Sequence, residues 1–198
     1  MLSSSVVPYV EGSLAEYEAL AAKVDAFFAR VHARYADRMR CGAGCDECCH
    51  AELSLAPVEA EALRRHVAAL PAAERSRLAA RAGKAAAAGE DGARCAALED
   101  DGRCAVYAAR PLVCRTHGVP MRVPRDARLP VMRDDGGLAV CHLNFEGTPL
   151  ASLDADCVLN LESIDALLAV VNARACGERA DRLARVALRD VLFSAHLP

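Results

Sequence analysis

Four cysteines fall within the nine residues Cys41-Gly42-Ala43-Gly44-Cys45-Asp46-Glu47-Cys48-Cys49, and the last two are chain neighbours. A thiolate is a soft anionic donor for zinc or iron–sulfur clusters, and spacings of two or three residues let one tight turn aim several sulfurs at a common point. Gly42 and Gly44 let the chain wrap closely around that point. Free cysteines packed in a core would follow a helix or strand period instead of crowding a Gly-rich turn. Disulfides are the other use for so many thiols, but the adjacent pair Cys48-Cys49 bridges only with strain. Metal ligation is the chemistry this run favours.

A second group lies further along. Cys95 and Cys104 stand on either side of a turn at Asp100-Asp101-Gly102, Cys114 follows, and Cys141 comes after a second turn at Asp134-Asp135-Gly136. A hairpin brings its arms within about 5 Å of each other, so Cys95 and Cys104 can serve one site. In the stretch YAARPLVCR, Tyr107 to Arg115, Pro111 can open a short helical turn that presents Cys114. Arg110 and Arg115 flank that thiol and are candidate cofactor-binding residues, since a guanidinium lowers a thiolate pKa and balances the negative charge of a Cys-rich site. Ordinary surface arginines are the alternative. His50, His117 and His142 each lie within three positions of a cysteine and are possible ligands, with an outer-shell role or simple exposure as the competing reading. His32, His66 and His196 fall in helical stretches and carry no such hint.

Counting donors limits the centre. One tetrahedral ion takes four ligands, whereas the two regions offer Cys41, Cys45, Cys48, Cys49, Cys95, Cys104, Cys114 and Cys141. Two centres, or one polynuclear cluster with supporting thiols, fit that number better than a single zinc. Cys157 and Cys176 stand apart and read as structural.

The elements around these loops are mostly helical. Ser13-Leu14-Ala15-Glu16 has the form of a capping box, and Leu14, Tyr17, Ala21, Val24, Phe28, Val31 and Tyr35 recur in steps of three and four, predicting a long helix that ends near Met39. Pro57 opens a second helix to about Leu70, and Pro71 a third that ends near Gly89. Between Glu90 and about Pro149, Gly, Pro and the two Asp-Asp-Gly turns indicate small hairpins. A brief extended piece near Val158 precedes a long helix marked by Ile164, Leu167, Leu168, Val171 and Ala175 and stopped by Gly177; a last helix is expected from about Glu178 to Phe193. The expected fold is mainly α, a single domain over residues 1–198. Its helices pack around an irregular Cys-rich centre, at residues 41–141, that carries one or two small β-hairpins.

Composition excludes several functions. Net charge is −3, with 24 Lys and Arg mixed among 27 Asp and Glu, and no basic patch invites nucleic acid. No apolar run reaches the roughly 18 residues of a membrane span, and no basic segment followed by an apolar stretch opens the chain, so a cytoplasmic location is expected. In that reducing medium ten cysteines read as metal ligands more readily than as disulfides. No G-x-S-x-G, H-E-x-x-H, Walker loop or G-x-G-x-x-G occurs, and no catalytic set emerges. Cys114, near His117 and between arginines, could serve as a nucleophile, though ligation is the simpler use of its thiol. The C-x3-C-x2-C spacing of Cys41, Cys45 and Cys48 also occurs in radical S-adenosylmethionine enzymes, but a helix precedes it and 198 residues leave little room for their barrel.

The combined pattern C-x3-C-x2-C-C, then C-x8-C-x2-Y-x2-R-P-x2-C-R, resembles the bacterial cysteine-cluster family called YkgJ, a zinc- or iron-chelating domain. Cys41, Cys45, Cys48, Cys49, Cys95, Cys104, Tyr107, Arg110, Pro111, Cys114 and Arg115 carry it, and Cys141 matches a looser family cysteine. Ala96-Ala97 departs from the Pro and aromatic that usually follow the cysteine at position 95. Some relatives resemble the flagellin lysine N-methylase, which is linked to an iron–sulfur cluster. The resemblance implies metal binding. With the number of thiols, it favours an iron–sulfur cluster for redox or methyl-transfer-type chemistry with a protein redox or substrate partner. The alternative is a zinc-binding structural or adaptor protein whose ions staple a loop-rich centre and contribute folding energy directly.

Overall fold

The computed structural model describes residues 12–42, 44–88, 94–124, 132–177 and 184–194. Helix α1 (Ser13–Tyr35) is built on the expected stripe, with Tyr17, Ala21, Val24 and Val31 buried and Leu14, Phe28 and Tyr35 half-buried. Its start differs from the expected capping box. Gly12, at φ 92°, is the cap and its carbonyl accepts from the Glu16 N–H, while Ser13 is already the first helical residue. A left-handed φ is open to glycine without steric cost. After Tyr35 one 3-10 turn, Ala36–Arg38, hands an extended Met39 to the cysteine loop.

Helices α2 (Pro57–Ala69) and α3 (Ala72–Ala88) begin where Pro57 and Pro71 set them. Pro57 sits in the first turn, where its missing N–H is no loss, and Glu59 reaches back to accept the Ala56 N–H at 3.0 Å. Short α4 (Leu112–Thr116) follows Pro111, and α5 (Leu161–Cys176) follows Asn160, whose side chain accepts the Ser163 N–H. The expected final helix is shorter. Residues 178–183 lie outside the described residues, Val186–Ala187 is a strand, and α6 runs only over Leu188–Ser194. The Leu188 N–H goes to the Leu53 carbonyl, so pairing with the chain before α2 holds this segment extended against its own helical pattern.

Two small sheets complete the fold. β1 (Ser54–Leu55) pairs antiparallel with β6 (Val186–Ala187). β2 (Met121–Arg122), β3 (Met132–Asp134), β4 (Leu138–Cys141) and β5 (Leu159–Asn160) align in the order β3-β4-β2-β5, with β2 and β5 parallel. The hairpin β3–β4 turns at Gly136 and Gly137, both left-handed, with the Asp134 carboxylate accepting the Gly137 N–H at 2.8 Å. The Asp100-Asp101-Gly102 turn likewise lies between a bridge from Leu98 to Cys104.

Three apolar clusters frame the cysteine region. Val31, Met39, Met121, Val140, Phe145 and Leu150 join the end of α1 to the larger sheet. Leu55, Leu63, Val67, Leu78, Val191 and Leu192 join α2, α3 and α6, with Cys95 and Cys104 at its edge. Tyr17, Val24, Val58, Leu112 and Val171 join α1, α2, α4 and α5. Each fully buried Val or Leu contributes roughly 1.5–3 kcal/mol of transfer free energy, so the mainly α frame can hold its irregular centre firmly. Among the described residues no helix is long and apolar enough to cross a membrane.

Candidate metal centre

The two cysteine stretches meet. The Cys95 N–H donates to the Cys49 carbonyl at 2.7 Å, and Gly102 at the hairpin tip lies so close to Gly44 that a Cβ there would stand 3.2 Å from the Gly44 oxygen. Backbone contact therefore ties the loop after α1 to the hairpin that carries Cys95 and Cys104. α4 places Cys114 beside both, because Pro111 fixes the chain entry and its carbonyl accepts the Cys114 N–H at 3.0 Å.

Five sulfurs form one group. Cys49 donates to Cys48, which brings the Cys48 thiol down to about 7 and holds that of Cys49 far above its ordinary value. Burial raises Cys95, Cys104 and Cys114, and the charges of neighbouring thiols raise them further: Cys114 feels Cys95, Cys48 and Cys104. Arg110 opposes this at Cys48, Cys104 and Cys114. Its guanidinium lies 4.0 Å above the Tyr107 ring and reaches Asp25 of α1 at 3.5 Å. Arg115, also expected beside Cys114, is spent differently. It bonds Asp25 and donates to the carbonyls of Arg110 at 2.7 Å and Ala108 at 2.8 Å, locking the approach to α4.

Three sulfurs form a second, adjoining group. Cys41 donates to Cys141, which lowers the Cys141 thiol to about 6 and raises that of Cys41, and Cys45 lies within electrostatic reach of Cys41. Cys48 also feels the charge of Cys141, at the end of β4, across the gap between the groups. Backbone contact and mutual electrostatics link these eight cysteines from one to the next. Cys157 and Cys176 are buried away from them, Cys157 among the apolar residues beside the larger sheet and Cys176 against Asn172.

Asn144 carries no mark in the sequence, yet it organises the second group. Fully buried, it accepts the N–H of Arg40 at 2.7 Å and of Cys41 at 3.3 Å, and its amide donates to the Gly118 carbonyl at 2.6 Å and the Cys41 sulfur at 3.1 Å. Its position three residues after Cys141 was the one available signal. Glu59 does similar work from α2. Its two oxygens accept the N–H groups of Ala56 and Leu112, joining the start of α2 to the start of α4, and burial keeps its carboxyl above the usual range.

The three flagged histidines differ. His50 is exposed and lies 3.4 Å from Asp46; His142 is exposed and lies 3.6 Å from Glu47. His117, just after α4, has its Nε2 covered and without a hydrogen-bond partner among the described residues, and burial holds the ring neutral. A buried polar atom left unpaired costs about 1–3 kcal/mol.

The donor set suits a thiophilic ion. Thiolates and a neutral imidazole are the ligands of zinc and of iron–sulfur centres, whereas calcium or magnesium would need a shell of oxygens. Among the described residues no three Cys, His, Asp or Glu side chains stand in the arrangement of a bound ion. Cys49 pairs with Cys48 and Cys41 with Cys141 instead. Binding would release their protons and turn their side chains, so that metal affinity falls as pH falls. Residues 40–128 match the sequence model of a family named CxxCxxCC, described as "Putative zinc- or iron-chelating domain". No curated protein and no solved structure matches the chain.

Proposed function

We propose, from the premise that residues 40–128 are a cysteine-cluster domain and bind metal, that Cys48, Cys49, Cys95, Cys104 and Cys114 hold an iron–sulfur cluster used in redox chemistry. The observation that carries this reading is the meeting of three cysteine-bearing segments, tied by the Cys95 N–H to the Cys49 carbonyl, with the Arg110 charge felt at Cys48, Cys104 and Cys114. Four thiolates would serve as ligands, and the fifth, with backbone N–H groups, would tune the centre. Bound there, a cluster supplies a one-electron site. The protein's part is to bury the sulfurs, keep one positive charge beside them and limit water.

A protein partner fits this reading. Tyr107 and Val113 are 58% and 40% exposed, and both lie in the stretch between Cys104 and Cys114. An exposed pair in the segment that leads to the partly buried Cys114 offers a partner a contact surface close in sequence to the centre. Zinc is the second reading, favoured by the buried His117 nitrogen, since mixed Cys and His shells are common for zinc. Under that reading the ions staple the loops.

Purification without oxygen, a visible spectrum, and iron, sulfide and zinc per chain separate the two. Brown protein with iron, sulfide and broad absorption near about 400 nm supports the cluster. Colourless protein carrying zinc in its place overturns it. Cys104→Ala should lower bound metal and thermal stability together, and unchanged metal content removes that residue from the ligand set.

A further inference from the structure

Helix α5 is apolar on two faces. Ile164, Leu168, Val171 and Ala175 turn inward to the cluster shared with α1 and α2. On the other side Ala166, Leu167, Ala169 and Val170 are exposed, Leu167 at 50% and Val170 at 49%. A helix that is apolar all round belongs inside a protein. The outer face also has an order of its own. Glu162, Ala166, Val170 and Arg174 stand four residues apart and so form one ridge, acidic where the helix starts, basic where it ends and apolar between. All four are exposed, and the salt bridge from Arg174 to Glu16 at 3.2 Å leaves the Arg174 side chain 64% exposed.

We infer that two copies of this chain associate through that face, α5 crossing α5 antiparallel about a two-fold axis at the level of Leu168. Charge complementarity is what identifies a second copy as the occupant. Positions 162 and 174 are equally far from that level, as are 166 and 170, so the reversed pairing sets Glu162 of one copy beside Arg174 of the other at both ends. In the middle the larger Val170 meets the smaller Ala166, and Leu167 meets Ala169. A parallel pairing would set acid against acid and base against base. Ridges of residues four apart interdigitate in the commonest helix crossing, at about −50°. With 16 residues α5 is about 24 Å long, so the contact is small and the dimer weak, with half-association expected near about 100 µM chain. The inference is independent of the metal-binding reading.

Sedimentation velocity of the full reduced chain, from about 5 to about 500 µM, tests it. The wild type should pass from monomer to dimer across that range. V170E buries an unpaired charge from each copy and should weaken association about tenfold or more. E162R and R174E each create two like-charge contacts and should do the same. An equimolar mixture of E162R and R174E should recover the dimer, because a ridge with two basic ends then meets one with two acidic ends. Circular dichroism melts check that each variant folds, as substitutions at exposed positions should. A wild type that stays monomeric throughout overturns the inference. So does a V170E dimer as tight as the wild type, or a mixture no more associated than its components. A monomeric wild type whose V170E variant melts well below it also overturns it, and shows that the chain covers this face itself.

Discussion

Replacing Asn144 tests whether one buried amide holds the centre together. Its four bonds reach Arg40, Cys41 and Gly118 at 2.6 to 3.3 Å. In Asn144→Ala the Gly118 carbonyl and two N–H groups lose their partner. The carbonyl is deeply buried and costs toward the upper end of about 1–3 kcal/mol, the part-buried N–H groups toward the lower, so about 3–5 kcal/mol is expected in all. Against a typical stability of about 5–15 kcal/mol this is a large fraction. Asn144→Asp separates the two halves of the network. It keeps both acceptor contacts but turns a carboxylate oxygen toward the Gly118 carbonyl and the Cys41 sulfur, where two donors stood. Burial and that contact should raise the new carboxyl above its ordinary pKa, so the folded chain takes the proton before the unfolded one does. Stability of Asn144→Asp should therefore rise as pH falls through that window, relative to wild type. Urea unfolding of metal-free protein across pH provides both numbers. If Asn144→Ala stays within about 1 kcal/mol of wild type, the amide is not the organising contact.

Further substitutions probe the supports. Gly118→Ala drives a Cβ to 2.8 Å from the Cys41 sulfur and 3.2 Å from the Phe28 ring, and should cost about 1–3 kcal/mol and weaken metal uptake at Cys41; equilibrium unfolding and metal content check both. Asp25→Asn removes the charge shared by Arg110 and Arg115; with Asp25 part-exposed, about 1–2 kcal/mol of stability should go, read from denaturant midpoints. Glu59 has its folded pKa raised by burial. Its contribution to stability is thus present at low pH and is lost as pH rises through the folded value, and Glu59→Gln should flatten that segment of the stability profile.

What was legible in the sequence was local. The stripe from Leu14 to Tyr35, the prolines at 57, 71 and 111 and the two Asp-Asp-Gly turns each act within a few residues of themselves, and each sits in the expected element. The cysteine spacing was informative for the same reason. Asn144, Asp25 and Glu59 were not read, because each acts across the fold: Asn144 meets Cys41 over 103 positions, and Asp25 meets Arg115 over 90. The parallel pairing of β2 with β5 is likewise set by a distant partner, and at Val186–Ala187 such a partner overrides local helical preference. The capping box failed for a nearer reason, since Gly12 could take a left-handed cap that places Ser13 inside the helix.

The reach of Asn144 across 103 positions also has a bearing on biosynthesis. At about 5–20 residues per second, the ribosome releases Cys41 to Cys49 roughly 5–20 s before the amide that secures them. Through that interval the nascent thiols stand open to oxidants and to stray ions, protected only by their surroundings. Loading with the intended metal is then best timed to the emergence of β4 and Asn144, when Cys41 and Cys141 can close on it together.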